Sequence, residues 1–293
     1  MQWQKVTLVG VGLLGGSLGL ALKQRKLAAR VEGFVRRQAS VDECQKLGVV
    51  DAAHLDLTKA VQGADLIVFC TPLAQMRALA ERISTSVGRG VPAEPLVTDV
   101  GSVKRSVVDE LEPLFPNFVG SHPMAGSEKT GPAAATADLF RDSVCIVTPT
   151  PQSNPKAVDR IEELWRSIGA ISRRLSPDTH DELVSRSSHL PHVLAAQLVN
   201  YVLGANRPKD QALLCANGFR DTTRIASGSP EMWRDIALSN RENVIRELAG
   251  FIDHLEALRT ALQKGDSQAI DRFFTEAKRR RDAWQGQRGS SPE

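Results

Sequence analysis

Val6-Thr7-Leu8-Val9-Gly10-Val11-Gly12-Leu13-Leu14-Gly15-Gly16-Ser17-Leu18-Gly19-Leu20-Ala21-Leu22 is the stretch on which the fold turns. A short apolar run leads into it, a helix-periodic apolar run leads out, and G-x-G-x-x-G lies between them. In that context Gly10 permits a tight turn, Gly12 lets the backbone approach a pyrophosphate, and Gly15 allows close helix–strand packing. Leu13 and Leu14 open the helix, whose unpaired N–H groups would face the phosphates. The reading is a dinucleotide-binding turn.

Outward from that turn, short apolar runs alternate with longer amphipathic ones. Strands are expected at residues 5–11, 30–35, 66–70, 96–99, 118–121 and 144–148, with helices at 15–25, 40–47, 73–86 and 103–115. Repeated strand, helix, strand implies parallel pairing through crossover helices, hence an α/β fold with a Rossmann-type doubly wound sheet. Beyond a last strand at 171–175 the pattern changes. Ser176-Pro177-Asp178 has the form of a helix start, with a capping serine, a proline at the first position and an acid in the first turn. From there to residue 283 the period is helical, with breaks at 204–208, 227–230 and 265. Two domains are expected: a dinucleotide-binding domain over 1–174 and an all-helical domain over 175–293.

The end of the second strand carries the choice of dinucleotide. It reads Val31-Glu32-Gly33-Phe34-Val35-Arg36-Arg37-Gln38. An acid that would pair with ribose hydroxyls belongs near Val35, and Glu32 falls short of it. Arg36 and Arg37 follow, placed to pair with a 2′-phosphate. NADP is therefore the expected cofactor, with NAD an allowed second acceptor. Cys70-Thr71-Pro72, at the end of the third expected strand, is expected to line the same cleft.

Composition excludes several classes. Hydrophobic residues at 42% and charged residues at 24% describe a chain able to bury a core. A net charge of +3 gives no single-sign face for nucleic acid, and Lys278-Arg279-Arg280-Arg281 reads as a solvated helix face. Cys44, Cys70, Cys145 and Cys215 are widely spaced, without metal-ligand spacing. Cys70 and Cys145 read as buried thiols. No signal peptide or membrane-length apolar window is found, so the expectation is a cytoplasmic protein with no metal, no nucleic acid and no membrane partner.

Two further segments carry chemical side chains. Thr98-Asp99-Val100-Gly101-Ser102-Val103-Lys104 runs off a strand into a helix, where Ser102 taken alone reads as a cap. Gly120-Ser121-His122-Pro123-Met124-Ala125-Gly126-Ser127-Glu128 places His122 just past a strand, where a side chain that titrates near neutral pH can act as a base.

With these segments the chain resembles the prephenate/arogenate (cyclohexadienyl) dehydrogenases of tyrosine biosynthesis along essentially its whole length. The resemblance rests on V-G-V-G-L-L-G-G-S at 9–17, T-D-V-G-S-V-K at 98–104, G-S-H-P-M-A-G-S-E at 120–128, S-H-L-P-H at 188–192, G-F-R-D-T-T-R-I-A at 218–226 and M-W-R-D-I at 232–236. It implies oxidative decarboxylation of arogenate, prephenate or both, and a homodimer built through the helical domain. By residue, it implies that His122 takes the proton of the substrate's ring hydroxyl and that Ser102 helps hold that hydroxyl and the nicotinamide. Arg224 would bind a substrate carboxylate and His192 would shape the side-chain end of the pocket. Glu128, Gly218 and Trp233 match pocket-lining positions, Trp233 across the dimer interface. By family analogy the arginine pair inclines the substrate towards arogenate. With two domains filling the chain, no fused mutase or regulatory domain is expected.

Two other readings use the same glycine turn. A 3-hydroxyacid dehydrogenase or imine reductase shares the turn and the helices but does not need H-P-M-A-G joined to T-T-R-I-A. A silent NADP-sensing protein could lose His122 or Arg224, and both are present. Among the remaining histidines, His180 is expected to be a first-turn surface or interface residue. At least one of His189 and His192 is expected to be structural. Arg220 is expected to pair with Asp221, and Trp233 read by itself is core.

Overall fold

The apolar run that enters the glycine turn forms β1 (Trp3–Val9), the centre of a five-stranded sheet, and the run that leaves it forms α1 (Leu13–Gln24). The computed structural model describes residues 3–87, 94–127, 129–204 and 206–289. Along the chain follow β2 (Ala28–Phe34), α2 (Gln38–Lys46), β3 (Ala52–His54), α3 (Leu57–Val61), β4 (Leu66–Phe69), α4 (Leu73–Val87), β5 (Leu96–Asp99) and α5 (Arg105–Leu111). The sheet order is β3-β2-β1-β4-β5 and every pair is parallel. Helices cover both faces, so the strands are apolar on both. Leu8 and Val68 point into one core with Leu18, Leu22 and Trp165, while Val9 and Ile67 point into another with Met76, Val107 and Phe118. The order reverses between β1 and β4. Ligands of open α/β sheets bind outside the strand ends at such a point.

Three further strands, β6 (Gly120–Pro123), β7 (Val144–Thr148) and β8 (Ile171–Arg174), form a second sheet. Here the all-parallel expectation fails, because β6 and β7 pair antiparallel. Their connection holds only a short 3-10 turn, Pro132–Ala134, among the described residues, and a parallel pair needs a longer crossover. The 13-residue helix α6 (Pro155–Ser167), unassigned from sequence, supplies that crossover for the parallel pair β7–β8. A bridge between Val97 and Phe118 ties the chain entering β6 to β5. That places Asp99 at the end of one strand beside Ser121 and His122 on another.

Ser176 begins the helical part as expected: its Oγ accepts the Thr179 N–H at 3.1 Å, ahead of α7 (Pro177–Val184). The helix continues through a wider turn at Ser185–His189, with i→i+5 spacing, into α8 (Leu190–Leu203). Pro191 accounts for the wide turn, since it offers no N–H to the carbonyl one turn back. Then come α9 (Pro208–Leu213), α10 (Asn217–Thr223), a 3-10 turn Arg224–Ser227, α11 (Pro230–Ser239), α12 (Arg241–Lys264) and α13 (Ser267–Gly289). By contacts the chain divides into two compact units, Met1–Arg241 and Glu242–Glu293. The second, taken by itself, holds α13 and nearly all of α12. No described helix is long and apolar enough to cross a membrane.

Candidate active site

The glycine turn lies at the reversal point. Gly10 has φ +99°, a conformation closed to most side chains, and a Cβ there would sit 2.9 Å from Thr71 Cγ2 and 3.0 Å from the Cys70 carbonyl. A Cβ at Gly15 would lie 2.2 Å from the Gly10 oxygen, so α1 can approach β1 only as glycine. A Cβ at Gly12 would meet nothing within 4 Å: the turn faces open space there, with Leu13 and Leu14 half-buried beside it. Across that space the buried Thr71 Oγ1 has no hydrogen-bond partner among the described residues. Cys70 is a half-buried thiol whose pKa burial pushes up, and Pro72 is exposed at the start of α4. Open backbone, a helix N-terminus and an unpaired hydroxyl fit a dinucleotide pyrophosphate.

At the end of β2, Glu32 is 3% exposed and fully engaged. Its carboxylate meets Lys5 at 2.8 Å, Arg30 at 2.6 Å and His54 at 2.9 Å. Burial raises its pKa, but these partners outweigh that and hold it below the usual carboxylate value. Glu32 therefore serves the sheet. Val35 is buried, whereas Arg36 and Arg37 are exposed and make no side-chain hydrogen bond or ion pair among the described residues.

The ends of β5 and β6 are joined by a buried polar lattice. Asp99 and Lys104 are both fully buried and paired, and Lys104 Nζ also donates to the Ser121 carbonyl at 2.8 Å. Asp99 Oδ1 accepts the Ser121 N–H at 3.1 Å, and Oδ2 accepts the Gly101 N–H at 2.7 Å. Ser121 Oγ receives the Trp165 indole N–H at 3.1 Å and donates to the Asp99 carbonyl at 2.6 Å. These bonds hold Gly101-Ser102 and His122 in fixed relation. A Cβ at Gly101 would touch Leu73 Cδ2 at 2.8 Å, so the chain beside Ser102 lies against the turn that follows Thr71. Ser102 is half-buried and does not cap α5: the cap position is Lys104, whose backbone N–H is taken by Asp181. The cap reading of Ser102 is thus corrected.

His122 is 7% exposed, and its Nδ1 lies 2.8 Å from His180 Nε2. His180 Nδ1 in turn lies 2.7 Å from Asp181 Oδ1. His180 is fully buried, which overturns its expected place on the surface. The signal for this was present: Pro177, His180, Asp181 and Val184 form one buried face of α7 at helical spacing. Burial, foremost, then the His180, Lys104 and His189 charges, push the His122 pKa well below the ordinary value of 6.5. A histidine so placed is neutral at working pH and able to accept a proton.

The helical segments bring further side chains to this cluster. Asn240 Nδ2 donates to the Asp181 carbonyl at 2.8 Å and lies 3.2 Å from His189 Nδ1. His192 stacks on Trp233 with ring centroids 3.7 Å apart, and His189 meets the same indole edge-on at 6.2 Å. Trp233 is half-buried, so it is not plain core. His192 Nδ1 lies 2.9 Å from the Ser188 carbonyl, which leaves its Nε2 as an acceptor. Arg224 is exposed and close enough for its charge to lower the His192 pKa after burial has done so. Gly218 is exposed on α10 with open space around it, and Glu128 lies outside the described residues. Arg220 pairs with Asp221 at 3.4 Å on the surface, as expected. Among the described residues no three His, Cys, Asp or Glu side chains form a metal-holding group.

The buried histidines make stability depend on pH. His122, His180 and His192 are shifted below 6.5 and His189 to about 4, all chiefly by burial. Between those folded values and the unfolded value near 6.5 the unfolded chain binds more protons, so stability rises with pH and is lost as pH falls. His189 alone accounts for about 3 kcal/mol across its window. The depressed carboxylates Glu32, Asp51 and Glu162 act below their unfolded values of 4.5, 3.8 and 4.5, and Glu110, raised above 4.5 by burial, acts in the opposite sense, so the loss between pH 6.5 and 5 comes from the histidines. Scanning calorimetry should show Tm falling steadily from pH 6.5 to 5. A flat Tm there would mean the histidines are solvated in the native state.

Comparison with known proteins gives a consistent result. The family model described as "Prephenate dehydrogenase, nucleotide-binding domain" matches residues 18–173, and that described as "Prephenate dehydrogenase, dimerization domain" matches 176–276. The prephenate dehydrogenase of Bacillus subtilis is 37% identical over 281 residues, 94% of this chain and 75% of that protein. A crystal structure of the prephenate dehydrogenase from A. aeolicus with hydroxyphenyl propionate and NAD+ superimposes with a TM-score of 0.89 at 30% identity, covering 97% of this chain and 99% of that one. The arogenate dehydrogenase of Synechocystis does so with a TM-score of 0.79 at 28% identity, covering 96% and 100%.

Proposed function

This chain belongs to the prephenate dehydrogenase family, and we propose that it oxidatively decarboxylates arogenate, prephenate or both with NADP as preferred acceptor. The observation that carries the reading is a buried His122 whose neighbour Ser121 is bonded to Asp99, at the strand end that leads to Ser102, with Gly101 packed on Leu73 just past Thr71 of the glycine cradle. The substrate class has a ring with a carboxylate at one carbon and a hydroxyl at the opposite one. His122 accepts the hydroxyl proton, and Ser102 holds the same oxygen. Arg224 clamps a carboxylate, for which its planar fork is suited. His192, stacked on Trp233, borders the side-chain end of the pocket, with Gly218 beside it. When bound, the nicotinamide takes up the hydride from the ring carbon, and loss of carbon dioxide aromatises the ring. The residues supply a base, alignment and an anion clamp, and the driving force lies in the substrate.

The proposal extends to the cofactor, the division of the chain and the assembly. Glu32 is occupied by Lys5, Arg30 and His54 and Val35 carries no charge, while Arg36 and Arg37 stand ready for a 2′-phosphate. Residues 1–174 would hold the dinucleotide and 175–293 the dimer contacts. Exposed Tyr201, Leu213 and Leu238 in the helices of the first unit, with Leu214 just past α9, support a homodimer, as does the matched dimerization domain. The cytoplasm, where its four free thiols stay reduced, is the expected compartment. By family analogy alone, the arginine pair inclines the proposal towards arogenate.

Initial rates with arogenate and prephenate, each with NADP and NAD, test the reading. Turnover should be more efficient with NADP, and replacing Arg36 and Arg37 together by alanine should lower kcat/KM for NADP by about 10- to 100-fold, one or two charge-assisted hydrogen bonds, with little effect on NAD. A wild-type enzyme that favours NAD overturns the cofactor assignment. One that turns over neither ring acid overturns the function.

A further inference from the structure

Asp181 turns both carboxylate oxygens towards the backbone that enters α5. Oδ1 accepts the Lys104 N–H at 2.7 Å and Oδ2 the Arg105 N–H at 2.9 Å. An oxygen already accepting from the backbone presents lone pairs, and no proton, to His180 Nδ1 at 2.7 Å. That contact is attractive only when the hydrogen sits on His180 Nδ1. A neutral imidazole protonated there has a bare Nε2, and His180 Nε2 faces His122 Nδ1 at 2.8 Å. The second contact therefore needs its hydrogen on His122 Nδ1. Reversing the chain would set a lone pair of His180 against the carboxylate. Burial keeps both rings in their neutral forms, so this argument about tautomers applies to the resting enzyme.

We propose that His180 and Asp181 are positioning residues that hold His122 in its Nδ1–H tautomer, leaving Nε2 as the lone pair that receives the substrate's proton. The proposal rests on the reading of His122 as base. In the other tautomer His122 would point an N–H at the substrate hydroxyl and could accept nothing. The same link acts after transfer: with a proton on each nitrogen, His122 still donates from Nδ1 to His180, and the Asp181 charge lies one ring away. Lys104, His189 and a charged His180 would all oppose a charge on His122, so that transient cation is stabilised only while His180 stays neutral, accepting through Nε2 with the Asp181 carboxylate behind it. Nothing in the spacing of the chain announces the link, since His122 and His180 are 58 positions apart.

Two measurements on the full chain test it. Proton–nitrogen correlation spectra of histidine-labelled protein report the tautomer directly, with the His122 signals identified by their loss in His122→Asn. Wild type is expected to show His122 protonated on Nδ1 and bare on Nε2. The His180→Phe variant keeps the apolar bulk but removes the acceptor, and should shift His122 towards the Nε2–H form and lower kcat at least about tenfold with KM for the dinucleotide unchanged. His180→Gln, whose Oε1 can accept from Nδ1–H, should recover most of the loss. A wild-type His122 that carries its hydrogen on Nε2 overturns the proposal, as does equal impairment of His180→Phe and His180→Gln. Should His180→Phe fail to fold, the wild-type spectrum still decides. The spectrum needs no substrate, so failure of the proposed function would appear separately, as absent turnover by wild type.

Discussion

Replacing His122 with asparagine is expected to lower kcat by about 10²- to 10⁴-fold, the usual worth of a general base, while the affinity for the dinucleotide changes little. Asparagine keeps a polar side chain of smaller size within the buried site but has no basic lone pair near neutral pH. The pocket that would hold the pyrophosphate is built from Gly10, Gly12, Gly15 and Thr71, none of which bonds to His122, so cofactor binding is insulated from the change. Steady-state kinetics with saturating NADP, beside fluorescence titration of the same cofactor, separate the two effects. Retention of most of the turnover would remove the base role and leave His122 a structural neighbour of His180.

The second large effect is on stability. Lys104→Met leaves the Asp99 carboxylate buried with its cation gone, and breaking a buried pair in this way costs about 3–5 kcal/mol. For a unit of this size that is a drop in Tm of roughly 10 °C. The remaining Asp99 partners, the Gly101 and Ser121 N–H groups, soften the loss but do not replace a charge. The double change Lys104→Met with Asp99→Asn should recover a good part of it, because the orphaned charge is then removed as well. Calorimetry of the two variants is the check. An unaltered Tm in Lys104→Met would show that the lattice joining β5 to β6 is not a source of stability.

What could be read from the chain depends on how local the controlling interactions are. The turn at Gly10–Gly15 was legible because strand, turn and helix are adjacent, and Gly10 and Gly15 answer to neighbours within a few residues or across one strand. The start at Ser176 was legible for the same reason. The antiparallel β6–β7 pair was not, since alternating apolar runs look alike whether or not a helix joins them. Glu32 could be placed in β2, but its three side-chain partners come from β1, β2 and β3, so its occupation is a tertiary fact. His122 and Arg224 were found through motifs, whereas His180 and Asp181 carry no motif of their own. Their partners are brought in by the packing of α7 against the start of α5, which no periodicity encodes.

The wide turn at Ser185–His189 separates distance along the chain from direction in space. His189 follows His180 by nine residues, and at about 100° per residue an unbroken helix would send the two side chains to opposite sides. The wide turn takes up one extra residue, so the part beyond it is swung back by about 100° and the two rings end up about 80° apart. Asn240 can therefore reach the Asp181 carbonyl and His189 Nδ1 with one amide. In such a helix the angular phase, and not the residue count, is what the site requires. A relative with one residue fewer between these two histidines, and an ordinary turn in place of the wide one, would keep the same angle of about 80° between them.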